Sequence, residues 1–196
     1  MYAFLLMFFI TTFFGPEGPS TFLYAVLSSY VGHFILHDDL FWYSPYSVLH
    51  RYHHVNHSPF TYAVNILSEC SMLTIIVLSN YFGCTFNPWS ILFNMLIYVS
   101  VHYINCSWFH VNRYHEKHHE QIDTNMSPDV LDSFFGTKHK DTPNHEDTTH
   151  MIPNVVVAAI LVLWLKRNYQ ASWNRGFAYG SITIVIILSM ISSTIK

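Results

Sequence analysis

Residues 61–80, TYAVNILSECSMLTIIVLSN, and residues 89–108, WSILFNMLIYVSVHYINCSW, decide how this chain is read. Each is an apolar run near the ~20 residues that cross ~30 Å of hydrocarbon. The first carries Glu69 as its only charge and the second carries none. Asn80 to Pro88, between them, has turn composition. The pair is expected to form a transmembrane hairpin from Thr61 to Trp108, both of whose ends return to one membrane face. That geometry would bring together two histidine-rich segments distant in sequence, at 33–57 and 102–119.

The flanking sequence is read in the same light. The chain is 51% hydrophobic and 11% charged, against about 25% charged in ordinary soluble domains. No Lys or Arg precedes Arg51, and none lies between Arg51 and Arg113, a spacing that suits a bilayer. Met1 to Phe14 lacks the positive start and cleavage site of a secretory signal and is expected to be a retained membrane segment. It is short for a span, so an interfacial role or a preceding extension is open. Gly15 to Pro19 is a turn, with Ser20 or Thr21 capping an apolar helix that runs to Leu36 and into His37-Asp38-Asp39. Val155–Leu165 and Phe177–Ile195 are apolar again, separated by Lys166, Arg167 and Arg175. Ile152–Leu165 is too short to span comfortably, and an interfacial or re-entrant hairpin is its alternative.

The expected fold class is therefore an all-α integral membrane bundle with transmembrane hairpins. It is expected as one domain, 1–196, with the histidine region at about 30–140 and membrane segments at 151–196. Arg51, Arg113, Lys117, Lys138 and Lys140 lie on the histidine side, which the positive-inside tendency places in the cytosol. In a eukaryotic cell the endoplasmic reticulum would be the expected membrane. A net charge of −3 with no basic run gives no footing for nucleic acid. Cys70, Cys84 and Cys106 are odd in number and have no Cys-x-x-Cys spacing, so they read as small buried hydrophobes.

Fourteen histidines outnumber the nine Lys and Arg together, and histidine is the commonest metal ligand. His33 and His37 stand four apart, on one face of a helix. His50-Arg51-Tyr52-His53-His54 and His115-Glu116-Lys117-His118-His119 share a His-x-x-His-His spacing. In such a unit the first histidine shares a face with both later ones, while the adjacent pair diverges and can reach two different ions. Two units facing each other describe a two-metal cage, built of His33, His37, His50, His53, His54, His115, His118 and His119. His102, inside an apolar run, is added as a ligand, because an unpaired imidazole there would be unfavourable. His57 and His110 are secondary candidates; His139, His145 and His150 are expected to be solvated. Asp38, Asp39, Glu69, Glu116 and Glu120 are near enough in sequence to orient imidazole N–H groups. Imidazole suits Zn, Cu, Fe and Ni alike, and eight or more histidines without cysteine fit two ions of higher coordination.

The three histidine spacings on an apolar hairpin resemble the fatty acid hydroxylase/sterol desaturase superfamily. Pro59-Phe60 after the second cluster, Glu69, and Asn125 through Asp132-Ser133-Phe134-Phe135-Gly136-Thr137-Lys138 add to the resemblance, which covers about residues 30–140. Phe34 replaces an expected Arg, Met126-Ser127 an expected glycine, and Cys106 an expected histidine. The resemblance implies a membrane monooxygenase of lipid biosynthesis. Two iron ions would activate O2 to hydroxylate or desaturate a fatty acyl chain or sterol, with electrons from a separate cytochrome or reductase. Phe34, Phe41, Trp42 and Tyr43 would then be walls for a substrate arriving from the bilayer. Two other readings stand beside it: a membrane zinc hydrolase acting on a lipid amide or ester, and a metal-binding or transport protein without catalysis.

Overall fold

The structure, a computed structural model, describes residues 2–14, 19–38, 40, 43–70, 83, 87–143, 145–169 and 173–195. These form α1 (Tyr2–Phe9), α2 (Pro19–His37), α3 (Pro45–Val55), α4 (Pro59–Cys70), α5 (Pro88–Ser100), α6 (Arg113–Glu120), α7 (Asp129–Phe135), α8 (Ile152–Asn168) and α9 (Trp173–Ile195). Two stretches widen to π-helix, Ile10–Phe14 after α1 and Val101–Trp108 after α5.

Local chemistry starts these helices. The Ser44 hydroxyl accepts from Ser47 N at 3.1 Å with Pro45 at the first helical position. Asn87 and Pro88 do the same for α5, where the Asn87 side chain accepts from Trp89 N at 2.9 Å. Asn112 caps α6 through Tyr114 N at 2.8 Å. In each case a side-chain oxygen satisfies an amide that the first turn leaves without a partner. The short α7 ends at Gly136, whose φ of +75° is the left-handed geometry glycine adopts without steric cost.

Apolar faces pack helix on helix. Met7 of α1, Ile91, Phe93 and Ile97 of α5, and Val155, Ala159 and Val162 of α8 form one core. Leu49 of α3, Val64 of α4 and Leu188 of α9 form a second. Burying a side chain of this class contributes about 1.5–3 kcal/mol. α2 packs on both α3 and α5, and α4 packs on α5, joining the two groups. Polar side chains are also buried between helices: Thr21 Oγ1 lies 2.5 Å from Ser90 Oγ, and Asn94 Nδ2 donates to the Ser90 carbonyl at 2.9 Å.

This all-α bundle corrects the expected fold class. Among the described residues one helix, Thr149–Asn168, is long and apolar enough to cross a membrane, with a mean hydropathy of 1.6. It is the segment expected to be too short; a 3-10 turn at Thr149–Met151 and continuation through Lys166, Arg167 and Asn168 lengthen it. The Thr61–Trp108 transmembrane hairpin is replaced by α4 and α5 packed within the bundle. Its residues 71–82 and 84–86, with most of the expected turn and Cys84, lie outside the described residues. Tyr2–Phe13 and Tyr179–Ile195 are apolar but shorter than a span. A multi-span arrangement, a cytosol-facing histidine side and residence in the endoplasmic reticulum therefore lose their basis. The described part of the expected hairpin instead contributes to interhelical cores, Val64 of α4 with Leu49 and Leu188, and Ile91, Phe93 and Ile97 of α5 with Val155 and Val162.

Candidate metal centre

Four elements carry the histidines to one place. α2 delivers His33 and His37 from its last turns, α3 delivers His50, His53 and His54, the π-helical stretch delivers His102, and α6 delivers His115, His118 and His119. Three groups capable of holding a metal ion result: His37, His50, His54 and His118; His53, His54 and His119; and His102, His115 and His119. Within each group the ligand atoms lie within 4.8 Å of one another. His54 and His119 each belong to two groups, and their ring centroids are 4.4 Å apart.

The first group has the sharpest geometry. Its Nε2 atoms form a chain, His54 to His50 at 3.3 Å, His50 to His37 at 3.1 Å and His37 to His118 at 3.2 Å. Around an ion with metal–nitrogen bonds of ~2.0–2.1 Å, the edge of a tetrahedron of nitrogens is about 3.3–3.4 Å. His118 Nδ1 donates to the Thr124 carbonyl at 2.7 Å, so its neutral Nε2 is a bare lone pair. Arg51 Nη2 donates to the His37 carbonyl at 2.5 Å and ties α3 to the end of α2.

The second pole has its own supports. His102 Nδ1 lies 2.5 Å from Glu69 Oε1 on α4, both side chains being buried. That contact leaves His102 Nε2 free to face the cage, the usual carboxylate–histidine arrangement behind a metal ligand. His119 Nε2 is 2.9 Å from His115 Nε2. His53 Nε2 is buried without a hydrogen-bond partner. A buried nitrogen left bare by protein groups fits an ion as its missing partner.

Burial pushes the basicity of these rings down. His33 and His119 fall from 6.5 to about 3, His37 to about 4 and His54 to about 2, with desolvation the largest cause in each case. His50, His53, His115 and His118 are also well below the ordinary value, through desolvation and then neighbouring imidazoles. At neutral pH the cage is thus a set of uncharged lone pairs, the form in which imidazole ligates.

Other expected residues are placed differently. His33 touches the rings of His37, His50 and His118. Its Nδ1 faces the Ser29 carbonyl at 3.0 Å and its Nε2 the Tyr98 hydroxyl at 2.8 Å, and it joins none of the three groups. His57 is exposed, its ring centroid 6.2 Å from that of His119. His110 is exposed and paired at 3.2 Å with Glu116, which occupies that carboxylate away from the cage. Asp38 accepts from Leu40 N at 2.7 Å, and Glu120 pairs with Lys117. Phe34 and Tyr43 are exposed, while Asp39, Phe41 and Trp42 lie outside the described residues.

Sequence reasoning passed over several neighbours. Tyr98 sits one turn before His102, a spacing that signals a shared helix face. Glu146 and His150 come from the polar loop, where His150 Nδ1 lies 3.1 Å from Asn105 Nδ2. His139, expected to be solvated, is buried and accepts from Asp141 N at 3.1 Å. No sequence signal distinguishes a loop residue that folds back from one that stays in water.

No family model, curated protein or solved structure matches this chain. The expected membership of the fatty acid hydroxylase/sterol desaturase superfamily is corrected accordingly. O2 activation, a lipid substrate, a cytochrome or reductase donor and the designation as a membrane oxygenase rested on that resemblance and on transmembrane hairpins, and they fall with them. The buried histidine groups stand on geometry alone.

Proposed function

We propose that this chain is a metal-binding protein that retains two first-row transition-metal ions in a buried imidazole cage, without catalysis. His37, His50, His54 and His118 hold one ion. His102, His115 and His119 hold the other, with Glu69 orienting His102. The observation that carries this reading is the chain of 3.1–3.3 Å contacts linking the four Nε2 atoms, in a group whose ligand atoms all lie within 4.8 Å of one another. Four imidazoles complete a tetrahedral shell, whereas catalytic sites keep a position open for water or substrate. Binding is accordingly favoured over the zinc hydrolase reading, which needs three ligands and an activated water. Iron, zinc, copper and nickel all suit this donor set, and the pair of irons expected from sequence is one loading of the same cage.

The test is calorimetric titration of chelator-stripped protein with zinc or cobalt, with elemental analysis of the protein as isolated. Saturable uptake of two ions per chain, reduced to one in His118→Ala or His102→Ala, is expected. Absence of saturable uptake would overturn the proposal.

A further inference from the structure

The group formed by His53, His54 and His119 lies between the ligands of the two ions. It shares His54 with the first group and His119 with the third, and His53 belongs to it alone. Its ligand atoms lie within 4.8 Å of one another. Its ring centroids are 4.4 Å apart for His54 and His119, 4.5 Å for His53 and His54, and 4.8 Å for His53 and His119. His53 is 5% exposed, and its Nε2 has no hydrogen-bond partner. A buried, bare nitrogen of this kind calls for a partner. Nε2 of His54 lies 3.3 Å from that of His50, and Nε2 of His119 lies 2.9 Å from that of His115. With an ion at each pole those two rings are committed outward, and His53 alone is left in the middle.

We infer that His53, His54 and His119 form a third metal position, occupied in passing, through which a single ion crosses from one pole to the other without leaving the protein. This inference rests on the cage being a metal site. An ion held by His37, His50, His54 and His118 keeps His54 and gains His53 and His119. It then keeps His119, gains His102 and His115, and gives up His53 and His54. Each hand-over exchanges one neutral imidazole for another, the form in which the ring ligates, and one ligand is held throughout. Two divalent ions repel each other at short range. A chain with two ions therefore keeps them at the poles, and the middle position serves the chain that holds one.

Proton exchange spectroscopy on the full chain carrying one equivalent of cobalt(II) tests this. Each pole gives its own set of paramagnetically shifted imidazole signals, and cross-peaks between the two sets measure the crossing rate. The rate in the parent is expected to be independent of protein concentration. In His53→Ala it is expected to fall by at least about tenfold, because losing a ligand costs no less than the ~10–100-fold in affinity of losing a partner behind one. Two ions should still bind at saturation. His53→Gln, closer to histidine in volume, guards against loss of the fold and should slow crossing alike. Crossing in the variants as fast as in the parent, or crossing in the parent that scales with protein concentration, would overturn this inference alone. Absence of cross-peaks in a parent that binds two ions would do the same. So would a missing ion at saturation in folded His53→Gln, since His53 would then be a resident ligand, or a third ion bound by the parent. Failure of the parent to bind cobalt would instead overturn the cage, and the third position with it.

Discussion

His118 shows how one residue carries both structure and ligand chemistry. It has no exposed surface, its Nδ1 is fixed by the Thr124 carbonyl, and its Nε2 faces that of His37. His118→Ala is expected to weaken the first ion by more than about 100-fold, beyond the ~10–100-fold typical of losing a partner behind a ligand. Competition with a chromophoric chelator measures this; affinity within a fewfold of the parent would remove His118 from the ligand set. Glu69→Gln keeps a hydrogen-bond acceptor for His102 and discards the charge, so a loss of about tenfold at the second pole is expected in the same assay. His57→Ala and His110→Ala, exposed and outside the three groups, should leave both affinities unchanged.

At the scale of elements, the support of α6 comes from a loop closed by Asp132. This carboxylate accepts from Met126 N at 2.8 Å, Ser127 N at 2.7 Å, Thr137 Oγ1 at 2.6 Å and the Tyr114 hydroxyl at 2.8 Å. Asn125 adds donation to the Tyr114 carbonyl at 2.9 Å and acceptance from His139 N. Asp132→Ala would strand buried donors at a cost of about 1–3 kcal/mol each if no water replaces the carboxylate. A loss of about 3 kcal/mol or more in urea unfolding is expected, together with weaker metal binding through a displaced Thr124 carbonyl. Unchanged stability would show that the loop does not brace α6. Much of this was legible in the sequence in part only. The His-x-x-His-His spacings on α3 and α6 announced a shared face. The apolar runs did not reveal whether they would face lipid or one another, because composition is alike in both cases. Thr21, Ser90, Asn94 and Glu69, buried side by side or against histidine, were the polar signs of interhelical packing. Contacts such as Glu146 with Asn112 join residues 34 apart through a loop, and no local pattern encodes them.

For the whole molecule, the cage links stability to pH. His33, His37, His54 and His119 have folded values of about 3, 4, 2 and 3 against 6.5 when unfolded. Between these limits the unfolded chain binds more protons, so stability rises with pH. Their contribution is fully present above about 6.5 and is lost progressively as pH falls from there toward the folded values, by up to ~1.4 kcal/mol per pH unit per ring. Glu146 acts in the opposite sense: burial raises it from 4.5 to about 7, so its contribution is lost as pH rises through that window. Several histidines outweigh one glutamate, and the metal-free protein is expected to unfold at progressively lower temperature below pH 6.5. A Tm rising as pH falls from 6.5 to 5 would contradict the buried neutral cage. Bound metal adds RT ln(1 + [L]/Kd), about 2.7 kcal/mol at a hundredfold excess over Kd, and a chelator should remove that increment. X-ray absorption at the edge of the bound metal tests the central claim most directly. An all-nitrogen shell at ~2.0–2.1 Å for zinc, with outer-shell scattering from several imidazole rings, is the predicted result; a shell dominated by oxygen or sulfur would contradict it.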